Sequence, residues 1–293
     1  MNNTLQKEPN IPNGFEDLTE NFLKSYTLNI DEMIINKKTN VLIVRGLFGN
    51  LLKGNLLSLL NYLKSHGIKA RYADIIHSQT IDINAKMIAN QIKLIDGPII
   101  ILAHSKGGLD ALYSLRNPDQ WHKVIAVGIA QTSNSPSFVL KSFFNYQKYE
   151  NSKKLSFYLK FRLRFAGFIL HILGLDKGAK LLASDDLLEF IEIIKNTNFS
   201  FPVFAVSSWS KRPTSIVDSY HRVLNKLNEG IPHDGQFYLY QQQWSKFKNI
   251  LINEVDHAEI ALPVGKFDEK LFWLNYLKFI QNQSRFYRRN SQT

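Results

Sequence analysis

Short apolar runs alternate along most of the chain with segments whose apolar residues recur at helical spacing. Within each run the apolar residues are consecutive and do not alternate with polar ones, which is typical of strands buried on both faces of a sheet. They lie at 40–45, 68–72, 99–102, 124–130, 202–207 and 249–253. Helical spacing follows at 51–66, at 83–95 and at Leu109, Leu112 and Leu115. This order predicts an α/β fold with a mostly parallel central sheet and helices on both faces.

The alternation stops between residues 135 and 200. That segment carries helical patterns rich in Phe, Tyr, Leu, Lys and Arg, and its part from Lys141 to Arg164 is strongly basic and aromatic. We therefore predict a polar leader at 1–35, a core at 36–134 and 201–293, and a helical cap inserted at 135–200. The cap has two interpretations: a helical layer with solvated lysines, or a lid over an apolar pocket that also contacts an anionic lipid surface.

A serine stands between the apolar run at 99–102 and a pair of glycines in the sequence IIILAHSKGGLD. Small residues flank it, with Ala103 two places before and Gly107 two places after. A strand that turns sharply into a helix needs such small neighbours, and the turn then presents its central side chain above the sheet. The pattern predicts a nucleophile elbow at Ser105. The alternative is an ordinary turn after a strand.

The amino-acid composition limits which catalytic groups and which partners the protein can use. The 293-residue chain contains no cysteine, which excludes disulfides, thiolate catalysis and cysteine-ligated zinc. Its net charge of +11 favours an anionic partner, which could be nucleic acid, a phospholipid surface or an acidic substrate. Because zinc-finger spacings and phosphate-binding GxxxxGK[ST] loops are missing, nucleic-acid binding is not predicted. No motif calls for a cofactor, and we expect none; calcium binding and the oligomeric state cannot be read from the chain.

A serine hydroxyl needs an imidazole to take its proton and a carboxylate to orient that imidazole. In chains with such an elbow, the acid and then the histidine follow on loops after late strands. His257 directly follows the last predicted strand and is the candidate base. Asp234, before a glycine in a polar loop, is the candidate acid; Asp218 is its competitor, and a DG pair is also a common turn signal. Asp256 is excluded as the partner, since adjacent side chains diverge.

The oxyanion formed during nucleophilic attack needs two preorganised N–H donors. One is the backbone N–H of the residue after the nucleophile, and the other comes from the loop after an early strand. These are Lys106 and Leu47, with Phe48 as the substitute if the loop is shifted by one residue. The GLFG sequence of this loop is also compatible with an ordinary strand-to-helix turn.

Five segments, VRGLFG, AHSKGGLDA, NPDQWHKVIAVGIAQTSNSP, HDGQ and VDHAEIAL, together resemble the motifs of the α/β-hydrolase superfamily, most closely its bacterial lipase and esterase branch. The resemblance spans Val41 to Leu262. Arg45 stands where this branch often has histidine, and Ala103 replaces the more common glycine. The positions that match are Gly46, Ser105, Gly107, Gly108, Asp234, Gly235, Asp256 and His257.

The resemblance implies hydrolysis of a carboxylic ester through an acyl-enzyme formed on Ser105. The basic, aromatic cap favours lipid-like acyl esters and peripheral contact with an anionic membrane. Alternatives are a thioesterase or acyltransferase on the same fold, or a non-catalytic basic protein that binds surfaces. A carboxylate-pair glycosidase is disfavoured, because its candidate acids fit a solvated helix face: Asp185, Asp186, Glu189 and Glu192.

The first twenty residues lack the basic start and the apolar stretch of a secretory signal, and no later run reaches membrane-spanning length. We therefore expect a cytoplasmic protein, or one exported by a route that does not use an N-terminal signal peptide.

Overall fold

A parallel sheet forms the centre of the computed structural model, which describes residues 9–30, 35–52, 54–144, 161, 165, 167–168, 171–172, 174–214 and 216–290. Its strands in these ranges are β1 Glu16–Asp17, β2 Asn40–Val44, β3 Ala70–Tyr72, β4 Ile99–His104, β5 Val124–Ala130, β6 Val203–Trp209 and β7 Lys248–Asn253. Their order across the sheet is β1-β7-β6-β5-β4-β2-β3, and every pairing is parallel. The predicted fold class is confirmed.

Helices lie on both faces of this sheet. They are α1 Thr19–Ser25, α2 Leu57–Ser65, α3 Ile81–Leu94, α4 Lys106–Ser114, α5 Phe138–Phe144, α6 Lys177–Ala183, α7 Leu187–Asn196, α8 Asp218–Leu227, α9 Leu239–Gln242 and α10 Glu269–Asn290. A short 3₁₀ turn also spans Pro118–Gln120. Across the described ranges, no helix combines the length and the apolar character that crossing a membrane requires.

The two faces of the sheet are covered by separate apolar clusters. Along β4, Ile99 and Ile101 join the cluster that holds α3, α4 and α7, whereas Ile100 and Leu102 join the cluster that holds α2 and α10. Successive side chains of a strand point to opposite faces, so a strand covered on both faces must be apolar at every position. This is the physical reason for the continuous apolar runs in the sequence.

The segment predicted as a polar leader contributes to the core. Glu16 and Asp17 pair with β7, and Phe22 of α1 is fully buried against the aromatic rings of α10. The strand β1 was not predicted, because two exposed polar residues leave no hydrophobic pattern. Backbone pairing with Lys248 and Asn249 holds them in the sheet.

The helix predicted at 51–66 begins later, at Leu57. Leu56 has a positive φ of 54°, and its N–H donates to the carbonyl of Ala261 at 2.8 Å. The preceding residues form turns, because this tertiary hydrogen bond and the left-handed Leu56 are incompatible with a continuous helix. The apolar spacing at 51–56 instead places Leu52 at the mouth of a cavity.

The predicted cap is described only in part. Within 135–200, α5, α6 and α7 contribute buried side chains to the same cluster as α3 and α4. Most of the basic and aromatic run from Lys141 to Arg164 lies outside the described residues. Lys141, which is described, forms an ion pair with Asp185 at 2.8 Å.

Candidate active site

The turn between β4 and α4 has the geometry of a nucleophile elbow. Ser105 adopts φ 55° and ψ −129°, a conformation that L-residues rarely take. A Cβ atom at Gly107 would lie 2.5 Å from the carbonyl oxygen of Val44, and one at Gly108 would lie 1.9 Å from Thr132 Oγ1. The two glycines are therefore required by the close approach of neighbouring backbone and side chain, and they allow the strained turn to form.

The structure brings Ser105, His257 and Asp234 together, although they are far apart in the chain. Ser105 Oγ lies 2.9 Å from His257 Nε2, and His257 Nδ1 lies 2.7 Å from Asp234 Oδ2. The N–H of His257 also donates to the carbonyl of Asp234 at 2.8 Å. Asp234 is fully buried, whereas Ser105 keeps 8% of its surface accessible. The hydroxyl, the imidazole and the carboxylate form one continuous hydrogen-bonded series.

Asp234 is held in a tight turn that orients its carboxylate. Its Oδ1 accepts hydrogen bonds from the N–H groups of Gln236 at 2.8 Å and Phe237 at 2.7 Å. This arrangement leaves Oδ2 for the imidazole. The competitor Asp218 lies in the first turn of α8, where it pairs with Arg222 at 3.0 Å on the surface. The geometry therefore places Asp234, and not Asp218, on His257.

Asp256, next to the histidine, organises the loop that carries it. Its Oδ1 accepts from the N–H groups of Ala258 and Glu259, at 2.8 and 3.0 Å, and its Oδ2 accepts from the N–H of Thr214 at 2.6 Å. The carboxylate is thus committed to backbone donors on both sides of its loop. Sequence reasoning excluded Asp256 as the partner of His257 but did not identify this role.

Gln131 is a further group that sequence reasoning missed. Its Oε1 lies 3.0 Å from His104 Nε2, and its Nε2 donates to Ser208 Oγ at 2.6 Å and to the carbonyl of Asp256 at 3.0 Å. Gln131 directly follows β5 and has a positive φ of 51°. Its position after an apolar strand is the only sequence signal for it. The amide connects the residue before Ser105 to the loop of His257.

The two predicted oxyanion donors lie on segments that adjoin Ser105. Lys106 is the first residue of α4, so its N–H has no acceptor within the helix. Leu47 lies in the turn closed by the hydrogen bond from Gly49 N–H to the Gly46 carbonyl at 3.0 Å. A Cβ at Gly46 would lie 2.9 Å from Ser105 Cβ, so this loop packs directly against the elbow.

The side chain of Arg45 forms hydrogen bonds within the loop that carries Leu47. Its guanidinium stacks on the ring of Tyr72 at 4.0 Å, and it donates to the Gly49 carbonyl at 2.8 Å and to Asn50 Oδ1 at 2.5 Å. His77 Nε2 lies 3.4 Å from the guanidinium. Arg45 therefore has its own set of partners in this loop.

The side chain of Lys106 lies in the core. Its Nζ contacts both carboxylate oxygens of Asp110 at 2.8 Å, and the amide of Asn84 donates to Asp110 at 2.9 Å. The side chains of Lys106 and Asp110 are 0% and 1% exposed. Burial raises the pKa of the Asp110 carboxyl, opposed by the charge of Lys106. Apart from its i, i+4 spacing, this buried pair has no signature in the sequence.

A cavity of about 480 Å³ opens above Ser105 and His257. Its walls are mainly apolar, and the side chains of Leu52, Phe165 and Ile216 at its rim are 39%, 57% and 44% exposed. The wall includes Leu47, Phe48, Leu140, Leu182, Val217 and Phe237. The volume is that of a typical small-molecule site, and the lining favours an apolar ligand with few polar groups. In the described part of the chain, no group of His, Asp and Glu side chains is arranged to hold a metal ion.

Three buried histidines make stability depend on pH. Burial, helped by the charges of Arg45 and Lys106, lowers the pKa of His77 to about 4. Burial also lowers the pKa values of His104 and His233 to about 3. Above pH 6.5 these groups are neutral in both the folded and the unfolded state. Below it only the unfolded state takes up the protons, so the free energy of unfolding should fall by about 1.4 kcal/mol per pH unit for each histidine.

Urea unfolding between pH 7 and pH 5 measures this slope. His104→Gln should reduce it, whereas His122→Gln, at an exposed site, should not. A free energy of unfolding that stays constant from pH 7 to pH 5 contradicts the assignment of these histidines as buried and neutral.

Comparison with known proteins identifies the fold. No protein-family model matches the chain, and no curated protein matches it. Among solved structures, the metagenomic carboxyl esterase MGS0156 is similar over 86% of this chain and 78% of its own, with a TM-score of 0.64 and 14% identity. The mature lipase BlEst2 of Bacillus licheniformis is similar over 77% of this chain and 87% of its own, with a TM-score of 0.54 and 17% identity. The Staphylococcus hyicus lipase is similar over 91% of this chain and 100% of its own, with a TM-score of 0.54 and 12% identity.

At these identities the similarity establishes the architecture. The chain has the α/β-hydrolase fold, with a fully parallel seven-stranded sheet over the described residues. Two bacterial lipases and a metagenomic carboxyl esterase of known structure share that fold.

Proposed function

We propose that the protein is a serine hydrolase that cleaves carboxylic esters, with a preference for lipid-like acyl chains. The observation that carries the proposal is the hydrogen-bonded series Ser105–His257–Asp234 at the floor of an apolar cavity. A serine becomes a nucleophile only when a base takes its proton, and this series supplies that base together with the anion that orients it.

In the first half of the reaction, Ser105 Oγ attacks the ester carbonyl carbon while His257 Nε2 takes the hydroxyl proton. The carbonyl oxygen becomes an oxyanion, which accepts hydrogen bonds from the N–H groups of Leu47 and Lys106. Asp234 stabilises the imidazolium through Nδ1. The carbon–oxygen bond to the alcohol then breaks, the imidazolium gives its proton to the leaving oxygen, and an acyl ester of Ser105 remains.

In the second half, water replaces the alcohol. His257 takes a proton from water, the resulting hydroxide attacks the acyl carbon, and the tetrahedral intermediate uses the same two N–H donors. Collapse releases the carboxylic acid and returns the proton to Ser105 Oγ. The series of hydrogen bonds is then restored.

The acyl preference follows from the cavity. Each buried methylene contributes about 0.8 kcal/mol, so kcat/KM should rise up to about fourfold per methylene from acetate to octanoate esters. A p-nitrophenyl ester series measures this. Phe165→Ala, at the cavity rim, should lower kcat/KM for octanoate more than for acetate, whereas Phe161→Ala, equally exposed but outside the lining, should not. Equal kcat/KM for all chain lengths contradicts the lipid preference.

Peripheral contact with an anionic membrane belongs to the same proposal. The rim side chain Phe165 is one of four exposed apolar residues at helical spacing, Phe161, Phe165, Phe168 and Ile172, and the chain carries a net charge of +11. Apolar side chains beside positive charge favour binding to an anionic lipid surface.

The role of Asp234 as the acid can be tested by removing the negative charge of its side chain. In Asp234→Asn, the amide NH₂ group donates to His257 Nδ1, where the carboxylate oxygen accepted from it. His257 is then held in the wrong tautomer, and kcat should fall about 10⁴-fold. Asp218→Asn, the matched change at the surface competitor, should leave kcat unchanged. If Asp218→Asn gives the larger loss, the assignment of the acid is wrong.

A further inference from the structure

An unbroken series of hydrogen bonds runs from the loop of the candidate acid into α8. The N–H of Gly235 donates to His233 Nδ1 at 3.2 Å, and His233 Nε2 lies 3.1 Å from Asn225 Oδ1. Asn225 Nδ2 lies 2.9 Å from His221 Nδ1, and His221 Nε2 lies 2.9 Å from the carbonyl oxygen of Ser210. The series ends at the residue that follows β6. The mechanism described above uses none of these side chains.

The two ends of the series determine where each proton lies. A backbone N–H can only donate, so Gly235 requires a lone pair on His233 Nδ1 and a proton on Nε2. A carbonyl can only accept, so Ser210 requires a proton on His221 Nε2. The amide between them must then accept from His233 through Oδ1 and donate to His221 through Nδ2. The opposite amide orientation leaves His233 with no proton on either nitrogen, a form that a protein histidine does not adopt.

Both imidazoles must therefore be neutral, with the proton on Nε2. Their surroundings favour this state. His221 and His233 are 8% and 3% exposed, and their rings lie edge to face with centroids 4.2 Å apart. Burial, followed by the proximity of His221, lowers the pKa of His233 to about 3. A proton on His233 Nδ1 would abolish the acceptor that Gly235 uses.

We propose that His233, Asn225 and His221 are positioning residues for Asp234, acting as one directional hydrogen-bond relay. The relay binds the N–H of Gly235, the residue after the acid, which turns the chain with a φ of 93°. On the other side of the acid, the N–H of Ser210 donates to the carbonyl of His233 at 3.1 Å. The peptide groups on both sides of Asp234 are thus fixed, and its Oδ2 stays directed at His257.

This inference rests on the proposed role of Asp234 as the acid of an ester hydrolase. The proton positions, however, can be measured in the wild-type protein without any activity. Nitrogen-15 NMR of the histidine side chains at pH 7, assigned with His233→Gln and His221→Gln, should show both as neutral Nε2–H tautomers. A proton on Nδ1 of His233, or an imidazolium at either residue, overturns the relay.

Variants at Asn225 test the positioning. Asn225→Leu removes both amide bonds and should lower kcat for ester hydrolysis by about 10-fold to 100-fold with KM unchanged, because a small displacement of the acid costs rate and not binding. Asn225→Asp keeps the acceptor for His233 but replaces the donor to His221 with a carboxylate oxygen. His221 should then take a second proton and show the imidazolium signature.

The control is Asn196→Leu, on the surface end of α7, which should retain wild-type kcat. If Asn225→Leu retains the same kcat, the relay does not position the acid. If Asn225→Leu does not fold, Asn225→Ala, which removes the same two hydrogen bonds with a smaller side chain, carries the kinetic test and should also show a lowered kcat. A wild-type protein that hydrolyses no ester overturns the proposed function instead, and the tautomer result is unaffected by that failure.

Discussion

Ser105→Ala should lower kcat for ester hydrolysis on the order of 10⁶-fold, the loss expected when the nucleophile of a Ser–His–Asp series is removed. The variant lacks the atom that forms the acyl ester, so His257 and Asp234 have no group to activate. The fold should be retained, because alanine occupies the same turn and only one oxygen is removed from a side chain that faces the cavity. Initial rates with a p-nitrophenyl ester measure the effect.

Ser114→Ala is the matched control for this prediction. Ser114 is also a buried serine, at the last position of α4, but its Oγ donates to the carbonyl of Ala111 at 2.6 Å within the helix. It should keep wild-type kcat. Equal rates for Ser105→Ala and wild type would exclude Ser105 as the nucleophile.

Lys106→Met should cost about 3–5 kcal/mol of unfolding free energy, the loss expected when one partner of a buried ion pair is removed. The ammonium and the Asp110 carboxylate are 2.8 Å apart and almost completely buried. The variant therefore leaves a carboxylate in the core whose remaining hydrogen-bond partner among the described side chains is the Asn84 amide. The backbone N–H of residue 106 is retained, so the predicted oxyanion donor is not removed. Urea unfolding measures the loss.

The double variant Lys106→Met/Asp110→Leu should recover most of this stability, since it removes both charges and fills the space with apolar groups. Lys24→Met is the matched control: Lys24 pairs with Glu20 at the same i, i+4 spacing and 2.6 Å, but their side chains are 71% and 79% exposed. The free energy of unfolding of Lys24→Met should be nearly the same as that of the wild type. A loss in Lys106→Met no larger than in Lys24→Met contradicts the account of the buried pair.

The architecture was predictable where burial leaves a pattern in the chain. The strand Ile99–His104 lies between two helical layers, so its residues from Ile99 to Ala103 are all apolar and the pattern is visible. The edge strand Glu16–Asp17 is held by backbone hydrogen bonds, which carry no side-chain signature. The start of α2 depends on the hydrogen bond from Leu56 to Ala261, a partner that lies late in the chain.

In the candidate site too, the residues with a local sequence motif could be predicted, whereas those that depend on contacts between distant segments could not. Ser105 and His257 could be proposed from local motifs and chain order, because the elbow requires small residues and the histidine follows the last strand. Asp234 and Asp218 could not be separated from the sequence, since their difference lies in which carboxylate reaches the imidazole. The supporting groups Gln131 and Asn225 are polar residues without a motif, and only contacts between distant segments give them a role.

Reaction with a fluorophosphonate probe, followed by mass spectrometry of the digested protein, shows whether Ser105 is an activated nucleophile. An activated serine displaces fluoride from phosphorus and keeps the phosphonyl group, whereas an unactivated hydroxyl does not react. We expect one adduct, on the peptide that contains Ser105, and its loss in Ser105→Ala. A folded wild-type protein that forms no adduct, or forms it at another residue, contradicts the role of Ser105 as the nucleophile.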